Sequence, residues 1–243
     1  MAISVCIATY NGQQFIEEQL LSILSQLGEN DEIIISDDGS TDNTLFIIDR
    51  LADTRIRVYN NLGRSGPIYN FENALKHAVG DYIFLSDQDD KWLPGKVEKM
   101  KQALNNIELV VSDCYIGDED LNIIKESFFD WRSSRNGILK NIWRNSYLGC
   151  CMAFHRNLLE YALPFPKNIP MHDIWLGLIA EIYYKTIFIP DRLMVYRRHR
   201  SNTTVVTTHF KSKESIRHRI MFRTDLAFAI VKRILLLKWP VGT

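Results

Sequence analysis

The sequence predicts an α/β protein: a mostly parallel central sheet flanked by helices, in a single domain with a C-terminal helical extension. Three observations carry this. Short, apolar, β-branched runs alternate with stretches of helical periodicity through the first hundred or so residues. Polar loops follow each of the first four strand-like runs, where ligands of such sheets bind. Beyond residue 205 the alternation stops, and basic and apolar residues mix.

The elements follow in order. ISVCIA (3–8) reads as a buried strand, and Ile16, Leu20, Ile23, Leu24 and Leu27 then recur at helical spacing. EIIIS (32–36) is a second strand, and Ser40 is expected to cap the helix carrying Leu45, Ile48 and Leu51. IRVYN (56–60) is the third strand, followed by a helix marked by Phe71, Leu75 and Ala78. YIFLS (82–86) is the fourth strand, followed by a helix with Val97, Met100 and Leu104, and LVVSD (109–113) is the fifth. The second half is less regular. GCCMAFH (149–155) reads as a strand, a helix starts near Asp173, and TIFIP and LMVYRRH close the ordered core.

Composition excludes several classes. Lys+Arg and Asp+Glu both number 29 in 243 residues, so no overall field selects nucleic acid. Four cysteines, two of them adjacent and none in C-x-x-C spacing, suit reduced thiols in a cytoplasmic protein. MAISVCIATYN lacks a basic leader region, so no signal peptide is expected. The most apolar stretch, LAFAIVKRILLLKW, is interrupted by Lys232 and Arg233 and is not expected to span a membrane.

The four loops hold the chemistry. They contain Thr9-Tyr10-Asn11-Gly12, Asp37-Asp38-Gly39-Ser40, Asn60 to Arg64, and Asp87-Gln88-Asp89-Asp90. Three carboxylates within four positions repel one another unless a cation sits among them. Oxygen-rich sites of this kind suit Mg²⁺ or Mn²⁺, which also takes substrate phosphate. A solvated turn explains the same acids, as helix capping explains Asp37 and Asp38. No G-x-G-x-x-G follows the first strand, which argues against a dinucleotide oxidoreductase. The D-x-D-x-T of aspartyl-nucleophile phosphatases and the glycine-rich basic loop of sugar nucleotidyltransferases are also missing.

SVCIATYNG, IIISDDGSTDNT and GDYIFLSDQDDKW, in that order and spacing, with MHDIWL and YRRHRSN further on, resemble family 2 glycosyltransferases of the GT-A fold. The SDQDDKW, HDIW and YRRH segments are similar to those of bacterial rhamnosyltransferase-like enzymes. The resemblance implies a Rossmann-like GT-A domain over 1–205, with a nucleotide-sugar-binding half (1–113) and an acceptor-side half (114–205). Residues 206–243 form a basic amphipathic extension. It implies that Thr9, Tyr10, Asn11 and Asp38 hold the nucleoside of a nucleoside-diphosphate sugar, with Asp87 near the ribose and sugar. Asp89, Asp90 and His199 would bind Mg²⁺ or Mn²⁺, Arg197 or Arg198 would meet the diphosphate, and Arg64 would also reach the donor. Asp173 would be the catalytic base of an inverting transfer, its alternative being a helix cap, while His172 either assists it or merely flanks it. The donor suggested is dTDP-L-rhamnose, and the acceptor a glycan or lipid-linked saccharide of bacterial surface polysaccharide synthesis.

From about residue 210 the tail carries eight Lys/Arg against Glu214 and Asp225, interleaved with Phe222, Phe228, Ile230, Leu235 and Trp239. That mixture suits a helix on the anionic inner face of a membrane. Packing on the domain or a dimer contact explains it equally. The rival from another class is a non-catalytic scaffold of the same fold that binds sugar nucleotide or a partner enzyme.

Overall fold

The computed structural model describes residues 1–199 and 216–237. Arg200, Ser201 and Asn202 of the last motif, the expected boundary at 205, and Trp239 lie outside the described residues. In chain order the elements are β1 (Ile3–Thr9), α1 (Ile16–Leu24), β2 (Glu32–Asp37), α2 (Thr44–Arg50), β3 (Ile56–Asn60), α3 (Pro67–His77) and β4 (Tyr82–Asp87). There follow β5 (Lys91–Trp92), α4 (Lys96–Leu104), β6 (Leu109–Gly117), β7 (Ile123–Lys125), α5 (Phe128–Arg132) and α6 (Ile138–Trp143). A 3-10 turn (Gly149–Cys151), β8 (Met152–His155), α7 (Leu158–Ala162), α8 (His172–Tyr183), β9 (Thr186–Arg197) and α9 (Ile216–Leu236) complete the chain.

Among the described residues the sheet runs β3-β2-β1-β4-β8-β6-β9-β5, with β7 on the side of β6. The first four strands are parallel, as the alternation predicts. The interior strands β1, β2 and β4 are buried on both faces of the pleat, which is why they read as unbroken apolar runs. Ile33, Ile34 and Ile35 are fully buried, and each contributes roughly 1.5–3 kcal/mol of transfer free energy. The edge strand β3 is the exception, partly exposed along its length.

Two expectations need correction. Ser40 is not a helix cap: α2 begins only at Thr44, with Asn43 at the N-cap position, and the Ser40 hydroxyl instead turns back to Asp37. Residues 149–151 are a 3-10 turn, and the strand expected from Gly149 begins at Met152. TIFIP and the first five residues of LMVYRRH lie in one strand, β9, which follows β6 in parallel through register shifts near Asp113.

The pairing that positions the site is short. β5, the two residues directly after the acidic loop, pairs antiparallel with β9: Lys91 opposite Val195, Trp92 opposite Met194. This draws the end of β9 against the tip of β4, across more than a hundred residues of sequence. The helix α9 packs on the domain through buried Leu226 and Ile230. The Arg233 guanidinium donates to the carbonyls of Tyr161, Leu163 and Pro164. Phe228, Val231, Leu235 and Leu236 of the same helix are exposed. No helix of the described residues is long and apolar enough to cross a membrane.

Candidate active site

Strand register brings the loops together. Thr9 lies opposite Asp37, Asp37 opposite Asn60, and Ala8 opposite Asp87, so four strand tips end level on one edge. Asp37 is the organiser. Its carboxylate accepts from the amides of Gly39 (3.0 Å) and Ser40 (2.8 Å) and from the hydroxyls of Thr9 and Ser40. Thr9 is therefore buried with its hydroxyl turned to Asp37, a supporting position and not a ligand-facing one. Tyr10, by contrast, is 56% exposed. Its backbone is held on both sides by one side chain: the Tyr10 amide donates to Gln88 Oε1 (3.0 Å), and Gln88 Nε2 donates to the Tyr10 carbonyl (3.1 Å). Asn11, at φ +48°, accepts from Thr41 N through its side chain.

Asp38 uses both oxygens to tie down the loop after β3, accepting from Asn61 Nδ2 (2.8 Å) and Gly66 N (2.6 Å). On that loop Arg64 donates to the Tyr69 hydroxyl at 3.0 Å. Both line an open cleft of about 780 Å³ between β3 and α3, to which no carboxylate of the β4 tip contributes.

The acidic loop is the electrostatic centre. Burial first, then the charges of Asp89 and Asp173, push the Asp87 carboxyl up to about 7. Burial, with Asp89 and Asp87, pushes Asp90 well above the ordinary carboxylate range. Asp90 Oδ1 accepts from the Arg197 amide at 3.0 Å, while its buried Oδ2 has no partner. Asp89 pairs with His199, Oδ2 to Nε2 at 2.7 Å, and the His199 ring lies 4.7 Å from that of Phe15. The three residues expected around a metal thus divide: Asp89 joins His199, and Asp90 groups with Asp87 and the Cys150 thiol. Burial raises that thiol well above its ordinary value, so it stays protonated beside the two acids. Three repelling carboxylates, a buried oxygen without a partner and one imidazole fit a hard divalent cation.

Arg197, expected as a phosphate partner, is a clamp. It is buried, with Nε donating to the Asp89 carbonyl (2.7 Å), Nη1 to the Glu119 carbonyl and Nη2 to Glu18. Arg198 is half-buried, its guanidinium 5.9 Å from the Tyr196 ring centroid. Lys96 is fully buried beneath the site. Its ammonium donates to the Cys150 carbonyl at 2.7 Å and lies 4.6 Å from the Trp92 ring.

Asp173 lies in the first turn of α8, whose N-cap position is Met171, so the residue is not the helix cap. It is 8% exposed, and burial pushes its carboxyl up to about 6. Its Oδ1 accepts from Ile174 N (2.5 Å) and Asn145 Nδ2 (3.4 Å). His172 points elsewhere. It stacks on Phe71 at 4.0 Å with neither ring nitrogen bonded, and burial lowers it to about 3, so it is neutral. Gln88, Lys96 and Asn145 were not singled out in the sequence. Gln88 stood inside the acidic motif and was readable as a bridge, whereas nothing local marks Asn145.

Parallel strands ending in a carboxylate loop, closed by a mixed second half whose strand β9 returns an imidazole to that loop, define a GT-A type glycosyltransferase. The chain belongs to glycosyl transferase family 2, whose sequence model matches residues 4–162. Among its relatives is UDP-Glc:alpha-D-GlcNAc-diphosphoundecaprenol beta-1,3-glucosyltransferase WfgD of Escherichia coli, 28% identical over 183 residues, 74% of this chain and 70% of the relative. Another is dTDP-rhamnosyl transferase RfbG of Shigella flexneri, 30% identical over 85% of this chain and 76% of the relative. The fold is shared with S. aureus TarS 1–349 in complex with UDP-GlcNAc, at TM-score 0.69 and 17% identity over 96% of this chain and 73% of that one. It is shared too with mannosyltransferase PcManGT from Pyrobaculum calidifontis in complex with GDP-Man and Mn²⁺. There the TM-score is 0.61 and the identity 24%, over 80% of this chain and 56% of that one.

Proposed function

We propose that the chain is an inverting, metal-dependent glycosyltransferase. It transfers a sugar from a pyrimidine nucleoside-diphosphate sugar, dTDP-L-rhamnose, to a hydroxyl of a lipid-linked saccharide at the inner face of a bacterial membrane. One observation carries the reading: the Asp89–His199 pair lies beside the Asp87 and Asp90 carboxylates, which group with Cys150, and buried Asp173 packs against the adjacent Gly149. The name of WfgD supports a diphosphate-linked lipid acceptor, and that of RfbG a dTDP sugar.

The residues divide the work. The exposed ring of Tyr10 offers a face to the base, with Asn11 and Asp38 bordering the nucleoside and Thr9 steadying Asp37 behind them. Arg198 supplies a cationic group to the diphosphate, Arg64 reaches the donor from the cleft beside β3, and Asp87 borders the ribose and sugar. Asp89, Asp90 and His199 would hold Mg²⁺ or Mn²⁺, which when bound neutralises the charge of the diphosphate. The acceptor hydroxyl meets Asp173. A carboxyl near 6 is ionised at neutral pH yet basic enough to take the hydroxyl proton during attack. The acceptor oxygen bonds to the anomeric carbon on the face opposite the bond that breaks. The nucleoside diphosphate leaves with that bond's electron pair, and the configuration inverts.

The test is a thermal-shift screen of dTDP-, UDP- and GDP-sugars with and without Mn²⁺, followed by nucleoside diphosphate release. The expected result is the largest shift with dTDP-L-rhamnose plus Mn²⁺. A shift with UDP-hexoses alone overturns the donor, and tight donor binding without turnover favours the scaffold. Silence toward every sugar nucleotide overturns the whole reading.

A further inference from the structure

One group of charges lies outside the donor machinery. Arg132, Arg135, Lys140 and Arg144 surround α6 and the turn after it. Lys140 Nζ donates to Ser146 Oγ at 2.6 Å, the same oxygen that accepts from the Arg135 amide at 3.3 Å. Arg132 Nη2 reaches the Asn145 carbonyl at 3.4 Å, and the Arg144 amide donates to the Lys140 carbonyl at 2.8 Å. Among the described residues none of the four forms an ion pair with a carboxylate. Burial, with repulsion from Arg135, Arg144 and Arg132, lowers Lys140 below its ordinary value, and Arg132 is lowered by burial and Arg144. The one carboxylate that acts on Lys140, Glu181, is engaged by the Gly137 amide, Asn141 and the Tyr147 hydroxyl, so four cations face a single committed acid and favour a further anion.

Two further features say which anion. The cluster is joined to the candidate base: Asn145, whose carbonyl Arg132 holds, donates its side-chain amide to Asp173. It also borders an apolar rim, with Leu139 84% and Trp143 71% exposed on α6. Arg223 of α9 caps that rim, its guanidinium 4.2 Å from the Trp143 ring and bonded to the Trp143 carbonyl. Exposed tryptophan beside arginine is the side-chain chemistry of a membrane–water interface.

We propose that Arg132, Arg135, Lys140 and Arg144 form the seat of the acceptor's diphosphate, with Leu139 and Trp143 resting against the lipid it hangs from. The acceptor saccharide then spans from this seat to Asp173. Guanidinium forks suit phosphate oxygens through paired hydrogen bonds. The inference rests on the proposed lipid-linked acceptor and names the residues that would read it.

The probe is a synthetic polyprenyl diphosphate in phosphatidylcholine vesicles, compared with phosphatidylglycerol vesicles of equal surface charge, in a co-sedimentation assay. The variant is Arg135→Ala/Arg144→Ala, both side chains exposed, with its fold checked by thermal melting. The wild-type chain is expected to prefer the diphosphate vesicles. The double variant is expected to bind them roughly thirtyfold more weakly, about fivefold for each cation removed. Inorganic pyrophosphate should compete with the wild-type binding. Equal binding by variant and wild type overturns the inference. So does equal binding to phosphatidylglycerol, which would make the patch a reader of general membrane charge. The donor-induced thermal shift, measured on the same samples, separates the two claims. If it persists while the vesicle preference fails, only the diphosphate seat is lost; if it is absent, the glycosyltransfer reading fails on its own account.

Discussion

Replacing Asp173 by Asn should stabilise the protein while abolishing transfer. The carboxyl sits at about 6 in the folded chain against 3.8 ordinarily, because burial penalises its charge. Ionised Asp173 therefore costs the folded state about 3 kcal/mol above pH 6. The folded form binds this proton more tightly than the unfolded form. Its contribution to stability is therefore greatest at low pH and falls as pH rises from about 4 to about 6. The amide of Asn removes that cost but also one acceptor. Ile174 N and Asn145 Nδ2 can keep the side-chain oxygen, whereas a buried NH₂ group stands where Oδ2 was, at a cost of about 1 kcal/mol. The net gain at pH 8 is about 2 kcal/mol, roughly 4–8 °C in melting temperature for a chain of this size. Transfer should fall by roughly 10²–10⁴-fold. The assay is denaturant unfolding of both proteins at pH 8 and pH 4.5, with nucleoside diphosphate release alongside. A variant less stable than wild type at pH 8, or a stability gap that does not shrink toward pH 4.5, refutes the reasoning.

Other changes probe different parts of the structure. Asp90→Asn should raise the melting temperature without metal, because a neutral group replaces a buried charge. It should also diminish the Mn²⁺-induced shift, so an unchanged metal response would remove Asp90 from the site. In Gly177→Ala the new methyl would meet Tyr147 ring atoms 2.4–2.6 Å away, and Tyr147 is fixed by its bond to Glu181. A loss of about 2–3 kcal/mol in urea unfolding is expected. Arg233→Ala removes the donors to three backbone carbonyls and should loosen α9, by about 2 kcal/mol. Hydrogen exchange should accelerate in 221–236 while β1 and β4 keep their protection.

The parallel half was legible because each of its elements repeats at its own period: Ile33–Ile35 are apolar without interruption, while Ile16, Leu20 and Ile23 recur by turns of a helix. The carboxylate loop was legible from crowding alone. What could not be read locally is pairing at long range. Nothing in GCCMAFH says that its strand will enter antiparallel between β4 and β6, and nothing in Lys91-Trp92 says that two residues suffice to catch β9. Arg197 and Arg198 are adjacent and chemically alike, yet the pleat sends only the first beneath the acidic loop, to Glu18 and the Asp89 carbonyl. Thr9 and Ser40 misled in the same manner, since a hydroxyl at a strand tip serves a ligand or a neighbouring turn equally well, and here Asp37 takes both.

The two-residue latch between β5 and β9 sets an order of events during synthesis. A chain still on the ribosome and ending before residue 186 can own its acidic loop, but neither the imidazole nor the guanidinium that face it. Until β9 docks, the loop is a knot of mutual repulsion. Completion of the candidate site and completion of the sheet are then a single late step, and an ion gripped there would reward only chains in which β9 has docked.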